Sequence, residues 1–192
     1  MLDYVKSARQ KEELTAHLNA LKSGSKRLWL VDLLPERFMK LFLEEISADG
    51  FKTGVAMGQR FVWRGKIERI ERPIIYAVEQ GKIIDLTDEL SSIFDEVLES
   101  LENGQEYTNQ KEYLTPTVIG YLLGYPLVYL IGPEFDECKN RLNNMDLLLY
   151  RYHYQSVQIT SFTVPSDINL KIEPIPGLDL TVQHVNLPSV CL

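Results

Sequence analysis

One stretch of this chain brings arginine, histidine, glutamine and threonine within reach of one another: MDLLLYRYHY followed by VQITSFTV. Read as two strands, Met145–Tyr154 and Val157–Val164, it alternates with period two. Leu148, Tyr150, Tyr152 and Tyr154 then share one face of the first strand, and Leu147, Leu149, Arg151 and His153 the other. A two-residue turn at Gln155-Ser156 sets His153 opposite Gln158 and Arg151 opposite Thr160. Such a patch could hold an anion, with the Arg151 guanidinium forking a carboxylate or phosphate and the His153 imidazole moving a proton near neutral pH. The same pattern also describes a solvated sheet face whose other side is a tyrosine-lined core. Neither Gln155 nor Ser156 favours the positive φ that tight hairpin turns require.

A second candidate is Asp32, which interrupts LWLVDLLP near the carboxyl end of a strand and just before a helix. In open α/β sheets ligands and catalytic carboxylates gather at that edge. The plainer reading is a side chain that caps the following helix or faces solvent. Elsewhere the chemistry thins out. The chain has no GxGxxG or GxxxxGK[ST] phosphate loop, no GxSxG elbow and no HExxH pair. His17, His153 and His184 lie on separate elements without ligand spacing, so neither a metal nor a cofactor is expected. Cys138 stands among acidic residues, which disfavour a thiolate.

Periodicity and punctuation set the elements that must position these groups. Residues 5–22 predict a helix with Leu14, Leu18 and Leu21 on one stripe, ended by Ser23-Gly24-Ser25. Leu28–Leu34 reads as a strand. Pro35 opens an amphipathic helix to residue 49, with Phe38, Leu41, Phe42 and Ile46 facing inward. With Gly54–Trp63 as the next strand, the start reads as a β-α-β unit with a parallel crossover. Pro73–Val78 and Ile83-Ile84 are short strands around a turn at Gln80-Gly81. The helix predicted at 87–103 buries Leu90, Ile93, Phe94, Val97, Leu98 and Leu101 at helical spacing.

The run LTPTVIGYLLGYPLVYLI, Leu114 to Ile131, predicts a helix at 115–124 that runs through Gly124 into a strand. Thr115 is its expected cap, Pro116 its first helical residue and Gly124 its left-handed stop. Pro126–Ile131 is expected to be buried on both faces at the centre of the sheet. Gly132–Asn144 reads as a loop. After Pro165 the prolines at 174 and 176 leave little regular structure, although 178–187 could form a last short strand.

Length and charge bound the rest. At 192 residues the chain is long enough for a full hydrophobic core, and its 45% hydrophobic and 24% charged content is that of an ordinary soluble protein. A net charge of −7 argues against a general phosphate-backbone binder. The basic cluster Arg60, Arg64, Lys66, Arg69 and Arg72 is interrupted by Glu68 and Glu71. Two cysteines make no disulfide framework, and a reduced, cytoplasmic location is expected. Tyr113–Pro133 offers 21 uncharged residues. Gly124 and Pro126 interrupt them, and Glu112 and Glu134 flank them, so no membrane span is expected.

Three blocks recur as a set. YLLGYPLVYLI (Tyr121 to Ile131) is similar to an LLGYP-x-x-Y block, SFTVP (Ser161 to Pro165) to an SFSVP block, and VNLPSVCL (Val185 to Leu192) to an ending LPxVxL. LWLVD corresponds to an early strand ending in Asp. In these blocks the chain resembles the uncharacterised family named after human chromosome one open reading frame seventy-four, over roughly residues 121–192. The chain departs from that family between Pro165 and Val185, where a short proline-containing link stands in place of a longer helical segment. The resemblance sharpens the fold expectation and brings no activity with it.

These readings predict a single globular domain over 1–192, α/β or α+β, with a mixed sheet of about five to seven strands and three to four helices. Residues 1–24 supply an N-terminal helix that packs on it, and 165–192 an irregular C-terminal segment. The expected function is a non-enzymatic binding or interaction module, soluble and cytoplasmic. The alternative is a small-ligand, anionic-ligand-binding protein or an enzyme using Arg151 and His153, with Gln158, Thr160 and Asp32 in support. The partner is then a protein or a small anionic ligand, and neither nucleic acid nor membrane. A third reading is dimerisation through the edge of the C-terminal strand.

Overall fold

Local capping and glycine signals close the helices close to where the periodicity places them. In the computed structural model, which describes residues 2, 4–32, 34–109, 111, 114–132, 142 and 145–186, they are α1 (Ala8–Lys22), α2 (Glu36–Ala48), α3 (Asp88–Glu102) and α4 (Thr115–Leu123). Ser7 caps α1 by accepting from the Gln10 N–H, and Thr87 caps α3 by accepting from the Leu90 N–H. Gly124 ends α4 at φ 76. The expected cap of α4 is displaced by one residue: Leu114 holds the cap position and Thr115 is already helical. The α3 stripe is buried as predicted. On α2, Met39, Phe42 and Ile46 are buried, whereas Leu41 faces solvent.

The architecture is mixed α/β, and the strands differ from expectation in number and grouping. Nine strands form three separate three-stranded sheets among the described residues. The first contains β1 (Leu28–Leu30), β2 (Phe51–Ala56) and β3 (Gln59–Arg64) in the order β1-β3-β2. The predicted single strand over 54–63 is a hairpin. Met57 and Gly58 both take positive φ, at 54 and 70, and reverse the chain. Because β3 runs antiparallel to both neighbours, β1 and β2 point the same way without pairing. Gly54 lets α3 approach this sheet: a Cβ there would stand 2.6 Å from Leu101 Cδ2.

The second sheet holds β4 (Ile74–Ala77), β5 (Lys82–Ile84) and β6 (Leu127–Leu130) in the order β5-β4-β6. β6 pairs parallel with β4. It is therefore an edge strand and not the predicted central one, although Leu127 and Val128 are buried. Thr117 in α4 donates its hydroxyl to the Tyr129 carbonyl at 2.8 Å, which ties helix to strand.

The third sheet is antiparallel, β7 (Asp146–Tyr154), β8 (Val157–Pro165) and β9 (Asp179–Asn186), in the order β8-β7-β9. The C-terminal segment is thus not irregular throughout: β9 is in register with β7 over its whole length. The described residues between Pro165 and β9 contain no helix.

Helix α1 is wedged between two cores. Leu14, Leu18 and Leu21 pack with Trp29, Phe42 and Ile46 of the first sheet and α2. Ala16 and Ala20, on another face of the same helix, pack with Tyr150, Tyr152 and Ile159 of the third sheet. Small residues on that second face let the helix lie close to the strands. A further core joins α3 and α4 to the opposite face of the first sheet and to β4 and β6.

Candidate functional site

The hairpin of β7 and β8 forms with the two-residue turn, and Gln155 takes φ 48 in it. His153 pairs with Gln158 as the alternation predicts. The pairing of Arg151 with Thr160 does not occur. The register shifts between Tyr152 and His153, so Tyr152 faces Thr160 and Arg151 faces Ser161. Ile159 is the extra residue of this β-bulge, with no partner on β7. One inserted residue is enough to move Thr160 from Arg151 to Tyr152, while His153 and Gln158 stay paired.

Their destinations differ. His153 and Gln158 line a cleft of about 520 Å³ between the hairpin and α1, opposite Glu12, Glu13 and His17. Arg9 also lines it and is paired with Glu13 at 2.9 Å. Arg151 lies toward β9, where its Nη1 donates to Gln183 Oε1 at 2.9 Å. Thr160 lies opposite Tyr152. Asp32 is exposed beyond the end of β1, and α2 has no side-chain cap. Its charge is felt by both Lys26 and Tyr125. The predicted patch therefore keeps its His153–Gln158 pair and loses the pairing of Arg151 with Thr160.

At the inner wall of the cleft stands a pair that spacing does not disclose. His17 is 8% exposed and stacks on Trp29, ring centroids 4.6 Å apart and nearly parallel. Its Nδ1 lies 3.0 Å from Lys26 Nζ. The same Nζ donates to the carbonyl of Ile159, the bulge residue, at 2.5 Å. Burial, reinforced by the Lys26 charge, pushes the His17 imidazole down to about 3. Burial also pushes the Lys26 amine down to about 7, against the opposing pull of Asp32. A neutral His17 accepts from Lys26 at Nδ1 and so carries its own proton on Nε2. The Tyr125 phenol is raised by burial, with Thr160 offsetting part of the rise.

The signal that could have found this pair is local and slight. Gly24 ends α1 at φ 76, and the Lys26 N–H then donates back to the Ala20 carbonyl at 3.0 Å. That bond holds the lysine against the last turns of the helix. What buries it is β8, far along the chain. Among the described residues no group of three or more His, Cys, Asp or Glu is arranged to hold a metal ion, and no helix is long and apolar enough to cross a membrane. Cys138, Cys191 and the whole of the final LPxVxL block lie outside the described residues. No family model, curated protein or solved structure matches the chain.

Proposed function

We propose that the protein is a non-enzymatic binding or interaction module, a single cytoplasmic domain of the family named after human chromosome one open reading frame seventy-four. The observation that carries this reading is that the groups best suited to chemistry are engaged within the chain. Lys26 donates to His17 and to Ile159, and Arg151 donates to Gln183. A catalytic amine or guanidinium must keep donors directed at substrate. Here those donors join α1 to β8 and β7 to β9. The blocks YLLGYPLVYLI and SFTVP support the family reading and add no activity.

The second reading, a small-ligand site, is favoured by the cleft itself. It places His153 and Gln158 beside the nearly buried His17. A thermal-shift screen against nucleotides, sugar phosphates, carboxylates, divalent metals and coenzymes separates the two. A ligand at 100 times its dissociation constant adds about 2.7 kcal/mol, several degrees for a domain of this size. The binding-module reading expects no shift that disappears in His153→Ala. A shift of that size, lost in His153→Ala and in Gln158→Ala, would overturn it and establish a ligand in the cleft.

A further inference from the structure

Sheet edges expose unpaired backbone N–H and C=O groups, and proteins blunt them with bulges, prolines, lysines, shortness or a covering element. The edge strands here mostly follow that rule. β1 and β5 have three residues each, β6 has four, and β2 is bridged at Ala56 by Tyr107. β8 carries the bulge, ends on Pro165, packs against α1 and has the Ile159 carbonyl taken by Lys26.

Among the described residues β9 has none of these devices. Its eight residues, DLTVQHVN, contain no Lys, Arg or Pro and run in unbroken register with β7. Among the described residues no strand pairs with its outer edge. Val182 stands near its middle and is 51% exposed. It lies opposite Tyr150, on the face that carries the aromatic core.

We propose that β9 joins two copies of this chain, paired antiparallel about a twofold axis that passes through Val182. The strand is self-complementary in that register. Residues facing one another across an antiparallel pair share a face. Val182 therefore meets Val182, and Leu180 meets His184, extending the tyrosine-lined side. Thr181 meets Gln183 on the other side. Asp179, the strand's one carboxylate, stands opposite Val185 of the second copy. The two Asp179 groups are then six residues apart along the pair, roughly 20 Å at 3.4 Å per residue, beyond the screening length at physiological salt. The two three-stranded sheets become one of six strands, and an isologous contact of this kind closes without leaving a free edge at the join. The inference is separate from the reading of the cleft, and either can fail alone.

Light scattering on the full-length chain tests it. The wild type is expected at twice 22.1 kDa, and Val182→Lys at 22.1 kDa with an unchanged far-ultraviolet spectrum. In a Cys138→Ser, Cys191→Ser background, Val182→Cys is expected to cross-link to its own copy on oxidation, whereas Thr181→Cys, which faces Gln183, is not. A wild type that stays monomeric at high concentration overturns the proposal. So does a dimer that keeps its mass in Val182→Lys and fails to cross-link at position 182.

Discussion

At the β8 edge of the C-terminal sheet, Lys26 takes the Ile159 carbonyl, the bulge breaks the ladder and Pro165 ends it, while α1 lies alongside. At the β9 edge the ladder with β7 is unbroken, and the side chains are mostly exposed. The two strands flank the same β7 and share its aromatic face, so their difference does not come from that shared strand. It comes from the bulge and proline that β8 carries and from the N-terminal part of the chain, which packs on that side. The polar groups at β8, two of them strongly shifted in pKa, are therefore best understood as parts of a seam. Perturbed titration marks functional sites and buried structural links alike.

The seam can be broken most severely through its small residues. Ala20 is fully buried against the third sheet, and Ala20→Leu inserts three carbons where α1 meets it. We expect a loss of about 3 kcal/mol in chemical denaturation, with the β7–β8 amides losing hydrogen-exchange protection before those of the first sheet. Lys26→Ala leaves the Ile159 carbonyl and His17 Nδ1 without their donor and should cost about 2 kcal/mol.

The same lysine should give the seam a pH signature. Its folded-state value of about 7 lies below the ordinary 10.5, so between these values the unfolded chain binds more protons than the folded one. Stability therefore rises with pH through that window, by up to about 1.4 kcal/mol per pH unit. His17 lies against the amine, and Asp32 acts on it through its charge. Above pH 10 the raised tyrosines, such as Tyr129 at about 12, act in the opposite direction. The lower part of the window is thus where to measure. Urea titrations from neutral pH upward should show the rise in the wild type and a flat profile in Lys26→Met.

Smaller changes sharpen the comparison. Gln155 holds a left-handed conformation at the hairpin turn, and Gln155→Gly should stabilise the protein by about 1 kcal/mol in thermal melts. Smallest of all, Val182→Lys should leave the stability of the separated monomer within about 0.5 kcal/mol, because the side chain already faces solvent there.

What the sequence disclosed follows the reach of each signal. Helix ends are local: Gly124 was read as the stop of α4, whereas the caps Ser7 and Thr87 were not singled out, and the α3 stripe is read without any partner. Sheet order is not local. Met57-Gly58 reverses the chain although methionine gives no warning of positive φ, so one expected strand became two. At the candidate site, counting residues across Gln155-Ser156 placed His153 opposite Gln158 correctly. The same count failed one pair further on, because nothing in VQITSF marks Ile159 as the bulge. Lys26 and His17 were invisible for a related reason: the strand that buries the lysine lies 133 residues away.

That separation has a consequence for the nascent chain. The leucine face of α1 finds its partners as soon as the first sheet and α2 have left the ribosome. Its other face must wait until the hairpin of β7 and β8 is made, several seconds or more at about 5–20 residues per second. Throughout that interval the waiting surface of α1 is Ala16 and Ala20, with Lys26 just beyond the helix end, short or ionisable in free solution, and a poor target for chaperones or for other unfinished chains.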